Sequence, residues 1–133
     1  KLGDILYEGC GVSRDEAGLL DALTKVRELR EEFWHDVKVV GTGNRLNQEL
    51  EKAGRVADFI ELGEVMILDA LDRRESAGAH FRNEYATEAG EAKRNDGDWC
   101  AVSAWETRPD GTKVRHSEPL SFSLIDLQVR DYR

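Results

Sequence analysis

Residues 59–71 read FIELGEVMILDAL, and this stretch decides the fold of the chain. On a helical wheel its apolar side chains point in nearly every direction, while its acidic residues keep to a narrower arc. The helical pattern extends over residues 45–75, which would make a helix of about 46 Å at about 1.5 Å per residue. A single antiparallel neighbour cannot cover so much apolar surface. We therefore expect further helices, or another polypeptide segment, to pack against it.

Another long helix is predicted at residues 14–35, before the helix at residues 45–75. Ser13 and Glu16 have the spacing of a capping box, in which each side chain accepts a hydrogen bond from a free backbone N–H at the helix start. The apolar positions between Leu19 and Phe33 follow one face of this helix. One neighbouring helix is enough to bury such a face.

A shorter helical pattern opens the sequence. Leu2, Ile5 and Leu6 have i, i+3, i+4 spacing, and Gly9 and Gly11 end the run. We expect these residues to be the last turns of a helix that begins outside this sequence. Together the three patterns predict an antiparallel helical hairpin or bundle, in a truncated three-helix arrangement.

The pattern changes after Arg82. Residues 87–98 predict a polar, acidic loop, and residues 99–107 and 112–118 alternate as strands on either side of a Pro-Asp-Gly turn. These signals predict a β-hairpin. The apolar residues of the following tail, at 120–129, predict extended chain that lies against an apolar surface.

The predicted fold class is therefore mainly α, a helical bundle with a C-terminal β-hairpin and an extended tail. We expect the bundle to occupy residues 1–86. The loop, hairpin and tail are expected to occupy residues 87–133 and to pack on the same domain, because a lone hairpin is marginally stable.

The chain is acidic, with 19 Lys+Arg, 27 Asp+Glu and a formal net charge of -8. This charge repels phosphate backbones and anionic lipid headgroups, so we expect neither nucleic-acid binding nor direct membrane insertion. The longest apolar run covers only residues 65–68, whereas a membrane span needs roughly 20 residues. Cys10 and Cys100 lie far apart and outside any C-x-x-C motif, which predicts reduced thiols in a cytoplasmic protein.

Two fragments of known motifs carry little chemistry. Glu32 and His35 have the E-x-x-H spacing of di-iron ligands, but the second motif that such a site needs is absent, and a His in the last turn suits the helix dipole. Residues 9–11 and 41–43 are G-x-G fragments without the third glycine of a dinucleotide-binding turn. We interpret these glycines as helix-end and loop residues.

Glu75, His80 and Glu84 suggest a small metal or hydrolytic site, because His titrates near neutrality and carboxylates orient it. Their spacing matches no regular zinc motif, so structural hydrogen bonding is the favoured role. Buried packing is likewise favoured for the tryptophans, Trp34, Trp99 and Trp105.

Residues 70–82 read ALDRRESAGAHFR and resemble the A-L-x-R-x-E-S-R-G-A-H-x-R segment of the succinate dehydrogenase and fumarate reductase flavoprotein subunit. The similarity extends over almost the whole chain, through RELREEF at residues 27–33, LNQEL at 46–50, EPL at 118–120 and a tyrosine-containing terminus. In that family these features belong to the C-terminal helical domain.

The resemblance implies a non-catalytic structural or docking domain. The parent reaction is the FAD-dependent interconversion of succinate and fumarate, with electrons passing to an iron-sulfur subunit and to quinone. In the family, FAD and the substrate-binding residues belong to the flavin-binding and capping domains, whose motifs do not map onto this sequence. We therefore expect no cofactor or metal in this segment and no activity from it alone.

The resemblance also implies a contact site. Ala77 stands where many family members have Arg, so a guanidinium contact at that position is absent. Glu75, Ser76, His80 and Arg82 remain as the expected polar contacts between the helix end and the rest of the subunit.

The family's substrate arginine has a decoy in this chain. Residues 43–46 read GNRL, but Glu49 replaces the serine of the family segment and the tetrapeptide follows the first long helix. We interpret Arg45 as a helix-start residue.

The implied partners are the flavin-binding domain of the same subunit and an iron-sulfur subunit, with membrane association only through partner subunits. The hairpin and tail resemble the branch that pairs with a single dihaem cytochrome b subunit. Homodimerisation of the isolated segment would also hide apolar surface. Two alternatives stay open, namely a free-standing helical protein-interaction module that takes up a partner helix, and the metal or hydrolytic site named above.

Overall fold

The computed structural model describes residues 1–43 and 45–128. Backbone packing divides the chain into two units, Lys1–Arg73 and Arg74–Arg133. The first unit is helical, and the second consists of turns, short helices and a β-hairpin. The predicted boundary at residue 86, and the packing of residues 87–133 on the helical bundle, stay predictions.

The first unit contains three helices. They are α1 at Leu2–Gly9, α2 at Glu16–Asp36 and α3 at Gln48–Asp72, with a two-residue extended segment, β1, at Ser13–Arg14. All three helices occur where the apolar periodicity predicted them.

The start of α2 differs from the prediction. Asp15 is the N-cap residue, and its Oδ1 accepts a hydrogen bond from the Gly18 N–H at 2.7 Å. Ser13 lies in β1, two residues before the cap, so the predicted capping box is wrong. Because Asp caps a helix as well as Ser does, the residue nearer the helix supplies the cap.

Helix α3 is shorter than predicted at both ends. It begins after Asn47, whose side-chain oxygen accepts hydrogen bonds from the Glu49 and Leu50 N–H groups at 3.1 and 3.3 Å. It ends at Asp72, where the backbone of Arg73 becomes extended. Arg45 therefore lies in the connection before α3, and the prediction that it starts the helix is wrong.

The helices pack as an antiparallel bundle. Arg27 and Arg30 of α2 reach Glu64 and Glu61 of α3, which shows that the two long helices run in opposite directions. The apolar core consists of buried side chains from all three helices or their ends: Cys10, Leu19, Ala22, Leu23, Val26, Ile60, Ile67 and Ala70. The predicted fold class, mainly α with a C-terminal hairpin, is confirmed.

The contact between α1 and α3 depends on a glycine. A Cβ at Gly63 would lie 3.3 Å from Leu2 Cδ1 and 3.4 Å from Leu6 Cδ1. The missing side chain thus lets the apolar face of α1 approach the backbone of α3 closely.

The second unit begins with short elements. They are β2 at Phe81–Arg82, a 3-10 helix at Asn83–Tyr85 and a one-turn helix, α4, at Asp96–Trp99. The predicted acidic loop is thus partly structured, because Asn95 caps α4 with its side chain.

The predicted β-hairpin is confirmed. Strand β3, Ala101–Thr107, pairs antiparallel with β4, Lys113–Pro119, and Trp105 lies opposite Arg115. Gly111 has a φ of 83° in the connecting turn, a conformation that favours glycine.

The tail after β4 is exposed where the structure describes it. Leu124 is 93% exposed and Ile125 is 71% exposed. The Gln128 carbonyl accepts a hydrogen bond from Arg94 Nη1 at 3.1 Å. Val129 of the predicted tail lies outside the described residues, and the packing of the tail against an apolar surface stays a prediction.

Candidate functional site

The motif at residues 70–82 contains a tight turn. The Ala77 N–H donates to the His80 carbonyl at 2.8 Å, and the His80 N–H donates back to the Ala77 carbonyl at 3.1 Å. Gly78 has a φ of 59°, in the left-handed region that glycine enters without steric penalty. The sequence Ala-Gly-Ala-His therefore makes a reversal that presents Gly78 and Ala79 to solvent.

One buried hydroxyl closes the base of this turn. Ser76 Oγ donates to the Arg82 carbonyl at 3.1 Å and accepts from the Arg82 N–H at 2.8 Å. The Ser76 N–H donates to the Lys93 carbonyl at 2.9 Å. Ser76 thus satisfies the backbone of both arms of the turn while itself being fully buried.

Two buried charges flank the serine. Glu75 Oε2 accepts a hydrogen bond from the Asn95 N–H at 2.9 Å, at the start of α4. Arg82 Nε donates to Glu84 Oε2 at 3.1 Å, and its guanidinium lies 5.5 Å from the centre of the Tyr85 ring. Each buried charge therefore has a partner inside the second unit, as buried ions require.

The predicted contact residues thus fall into two groups. Glu75, Ser76 and Arg82 are buried, with exposures of 2%, 0% and 2%, and they hold the turn in place. His80 is partly exposed at its end. The contact of these four residues with another domain stays a prediction.

The alternative metal or hydrolytic site has no supporting geometry. The Glu75 carboxylate is used by Asn95, and the Glu84 carboxylate is used by Arg82. Among the residues that the structure describes, no group of three His, Cys, Asp or Glu side chains is arranged to hold a metal ion.

A row of exposed apolar side chains follows α3. Phe59, Leu62 and Met66 are 56%, 55% and 45% exposed, and their spacing places them on one side of the helix. We call these three residues the α3 stripe. Helices α1 and α2 cover other faces of α3 and leave this one open, in agreement with the expectation that one neighbour cannot bury the whole helix.

Sequence patterns missed an ion cluster between the long helices. Glu64 is 3% exposed; its Oε1 accepts from Arg27 Nε at 2.7 Å and its Oε2 from Arg30 Nη1 at 2.5 Å. Burial acts to lower the pKa of Arg30, but the charge and hydrogen bond of Glu64 outweigh it and raise that pKa above its ordinary value. The available signal was the i, i+3 spacing of Arg27 with Arg30 on α2 and of Glu61 with Glu64 on α3.

The other candidates do not form a site. His35 is exposed in the last turn of α2, beside Asp36 at 4.0 Å, and Glu32 is bound by Lys1 Nζ at 2.7 Å. Trp34 is 65% exposed, so its predicted burial is wrong. The centre of its ring lies 5.2 Å from that of the Phe33 ring, in a T-shaped arrangement.

The remaining aromatic and sulfur groups have local roles. The Arg115 guanidinium lies 4.9 Å from the centre of the Trp99 ring, and His116 Nε2 lies 2.9 Å from Glu106 Oε2 across the hairpin. Neither Cys10 nor Cys100 is in a disulfide, and burial raises the pKa of the Cys10 thiol above its ordinary value.

A family model described as the C-terminal part of the fumarate reductase flavoprotein matches residues 1–132. The chain belongs to this family. The resemblance carried by residues 70–82 is therefore confirmed, and with it the assignment to the C-terminal domain of a succinate dehydrogenase or fumarate reductase flavoprotein subunit.

Known members of the family are much longer than this chain. It is 28% identical over 133 residues to the succinate dehydrogenase flavoprotein subunit of Bacillus subtilis, covering 99% of this chain and 22% of that protein. It is 28% identical over 85 residues to the fumarate reductase flavoprotein subunit of Haemophilus influenzae, covering 64% of this chain and 14% of that protein. The chain thus spans about a fifth or less of these relatives.

Solved structures show the same fold. A variant of the Escherichia coli quinol fumarate reductase matches with a TM-score of 0.79 at 25% identity, over 93% of this chain and 20% of that chain. A quinol-fumarate reductase solved with menaquinol molecules matches with a TM-score of 0.78 at 25% identity, over 93% and 21%. Within the described part of the present chain, no helix has both the length and the apolar character that a membrane crossing requires.

Proposed function

We propose that this chain is the non-catalytic docking domain of a succinate dehydrogenase or fumarate reductase flavoprotein subunit. In this role it packs against the flavin-binding domain of the same subunit and stabilises it. The observation that carries the proposal is the α3 stripe, an apolar surface that the described residues leave exposed. The chain spans only part of the length of its relatives.

The energetics of the α3 stripe support this role. About half of each of its three side chains is exposed, and full burial of a large apolar side chain contributes about 1.5–3 kcal/mol. Covering the stripe would therefore stabilise an interface by about 3 kcal/mol before the entropy of association is subtracted. Within one polypeptide that entropy is small, because the two domains are already tethered.

The chemistry belongs to the rest of the parent subunit in this proposal. FAD, bound by the flavin-binding domain, would interconvert succinate and fumarate, and its electrons would pass to an iron-sulfur subunit and to quinone. The described residues would hold neither FAD nor substrate. Attachment to the membrane would come through partner subunits on the cytoplasmic side.

The turn at residues 77–80 would supply the polar part of the domain contact. His80 would reach the neighbouring domain, while Glu75, Ser76 and Arg82 would fix the turn from which it projects. Because buried polar networks hold one conformation when every member is satisfied, this division of labour suits a contact that must be placed accurately.

The test uses the full-length flavoprotein subunit. We would compare the subunit with a Leu62→Glu, Met66→Glu double variant and with Leu20→Glu, an exposed apolar residue of α2 that is outside the α3 stripe. Flavin absorbance per protein and the thermal midpoint of the flavin-binding domain are measured. We expect the double variant to lose at least about half of its flavin and the control to retain it.

A second comparison tests the role of the whole segment. The flavin-binding core is expressed with and without the 133 residues. Equal flavin retention and equal thermal midpoints in the two preparations would contradict the proposal. Helicity of the isolated variant chains, measured by circular dichroism, separates loss of docking from loss of folding.

A further inference from the structure

A groove of about 460 Å³ lies between α1 and α2 in the first unit. Ile5, Ala22 and Leu29 contribute apolar side chains to its lining. The helices approach closely at one end, where a Cβ on Gly9 would lie 2.6 Å from Ala22 Cβ. Small residues at this point keep the floor of the groove low, so a further helix has room to approach.

The rim of the groove is acidic. Lys25 Nζ donates a hydrogen bond to Asp21 Oδ2 at 2.6 Å, and this bond, the charge of Asp21 and the charges of Glu8 and Glu28 raise the pKa of Lys25 above its ordinary value. Two lysines, Lys1 and Lys25, line the groove, against five carboxylates: Asp4, Glu8, Asp21, Glu28 and Glu32. The rim therefore keeps an excess of negative charge around an apolar floor.

We propose that this acidic groove binds an amphipathic helix of a partner protein whose apolar face is flanked by Lys and Arg residues. A partner helix can bury its apolar face in an apolar groove between two helices. The acidic rim of this groove favours a partner helix whose apolar face is bordered by positive charge. The lining residues all belong to α1 and α2 or their ends, so the groove is a different surface from the α3 stripe and does not depend on the proposed function.

Charge disfavours the other occupants. A second copy of this chain carries a formal net charge of -8 and would be repelled by the rim. Anionic lipid headgroups and nucleic-acid phosphates would be repelled for the same reason. A basic helix gains attraction along both margins of the groove while burying its apolar face.

The experiment uses the 133-residue chain and three fluorescent peptides of about 18 residues, roughly five helical turns. The first has a leucine face with Lys and Arg margins, the second has the same face with Glu margins, and the third is a scrambled version of the first. Binding is measured by fluorescence anisotropy. We expect the first peptide to bind at least about tenfold more tightly than either of the others, and added salt to weaken it.

Variants locate the binding surface. Glu8→Lys with Glu28→Lys reverses charge on the rim, and Glu31→Lys with Asp58→Lys makes the same charge change at exposed positions outside the groove. We expect the rim variant to bind the basic peptide at least about tenfold more weakly and the control to stay within about twofold. Circular dichroism checks that both variants keep their helices.

Any of four outcomes would overturn the proposal. The proposal fails if the basic and acidic peptides bind equally, or if the scrambled basic peptide binds as well as the amphipathic one. It also fails if the control variant loses as much affinity as the rim variant. Absence of measurable binding by the amphipathic basic peptide would also overturn it.

Discussion

The two units of the chain bury different kinds of side chain. Among the residues that the structure describes, every buried apolar core residue lies in the helical unit, whereas three of the four buried polar or charged residues, Glu75, Ser76 and Arg82, lie in the second unit. The exception is Glu64, a buried carboxylate between the long helices.

This difference sets what each unit tolerates. An apolar core loses stability in proportion to the volume removed, and it accepts other apolar residues of similar size. A polar network depends on every partner, because one unsatisfied buried group costs about 1–3 kcal/mol. In the described part of the chain no buried side-chain nitrogen or oxygen lacks a partner, so the network around Ser76 is complete.

The largest expected effect tests the apolar unit. Ile67 is 0% exposed, and Ile67→Ala should lower the free energy of unfolding by about 3 kcal/mol, through lost burial and the cavity left behind. Urea denaturation of the isolated chain measures it. Leu62→Ala, on the exposed α3 stripe, should change it by less than about 0.5 kcal/mol. Similar losses for the two would mean that the α3 stripe is covered in the folded chain.

The second-largest effect is expected at Glu64, the buried carboxylate of the helical unit. Removing its carboxylate leaves Arg27 and Arg30 without their shared partner, but both arginines are partly exposed and can be hydrated. We expect Glu64→Ala to lower the free energy of unfolding by about 2 kcal/mol, less than for a fully buried pair. Glu61→Ala, which removes only a 3.4 Å contact to Arg30, serves as the control and should have a much smaller effect. If Glu64→Ala left the free energy of unfolding unchanged, the ion cluster would not contribute to the stability of the bundle.

The second unit is tested at Ser76. Ser76→Ala removes both hydrogen bonds that its hydroxyl makes to the Arg82 backbone, and should destabilise this unit by about 1–2 kcal/mol. Amide hydrogen exchange localises the effect, since the Arg82 N–H should exchange faster while core amides of α2 do not. Ser117→Ala on the exposed hairpin is the matched control. Unchanged exchange at Arg82 would show that the unit does not depend on this network.

The smallest effect concerns the start of α2. Asp15→Ala removes the N-cap and should cost about 1 kcal/mol, whereas Ser13→Ala should stay within about 0.5 kcal/mol. Both are measured by urea denaturation. If Ser13→Ala proved the more damaging, the capping box expected from the sequence would be correct after all.

The candidate site was only partly predictable. The motif at residues 70–82 singled out Glu75, Ser76, His80 and Arg82, and the structure brings all four to one turn. Sequence patterns did not find Asn95 or Lys93, which complete the network from about 20 residues away. Their pairing depends on how the acidic loop folds back, and no periodicity encodes such a path.

Patterns between residues close in sequence determined the helices and the hairpin of this protein. Apolar periodicity placed α1, α2 and α3, and the alternation around a Pro-Asp-Gly turn placed the hairpin, because these patterns act between residues close in sequence. Tertiary structure decided which faces are covered: Phe59, Leu62 and Met66 stay exposed, while Glu64 is buried between two arginines. Burial depends on neighbours that are distant along the chain, so a side chain's type does not determine its environment.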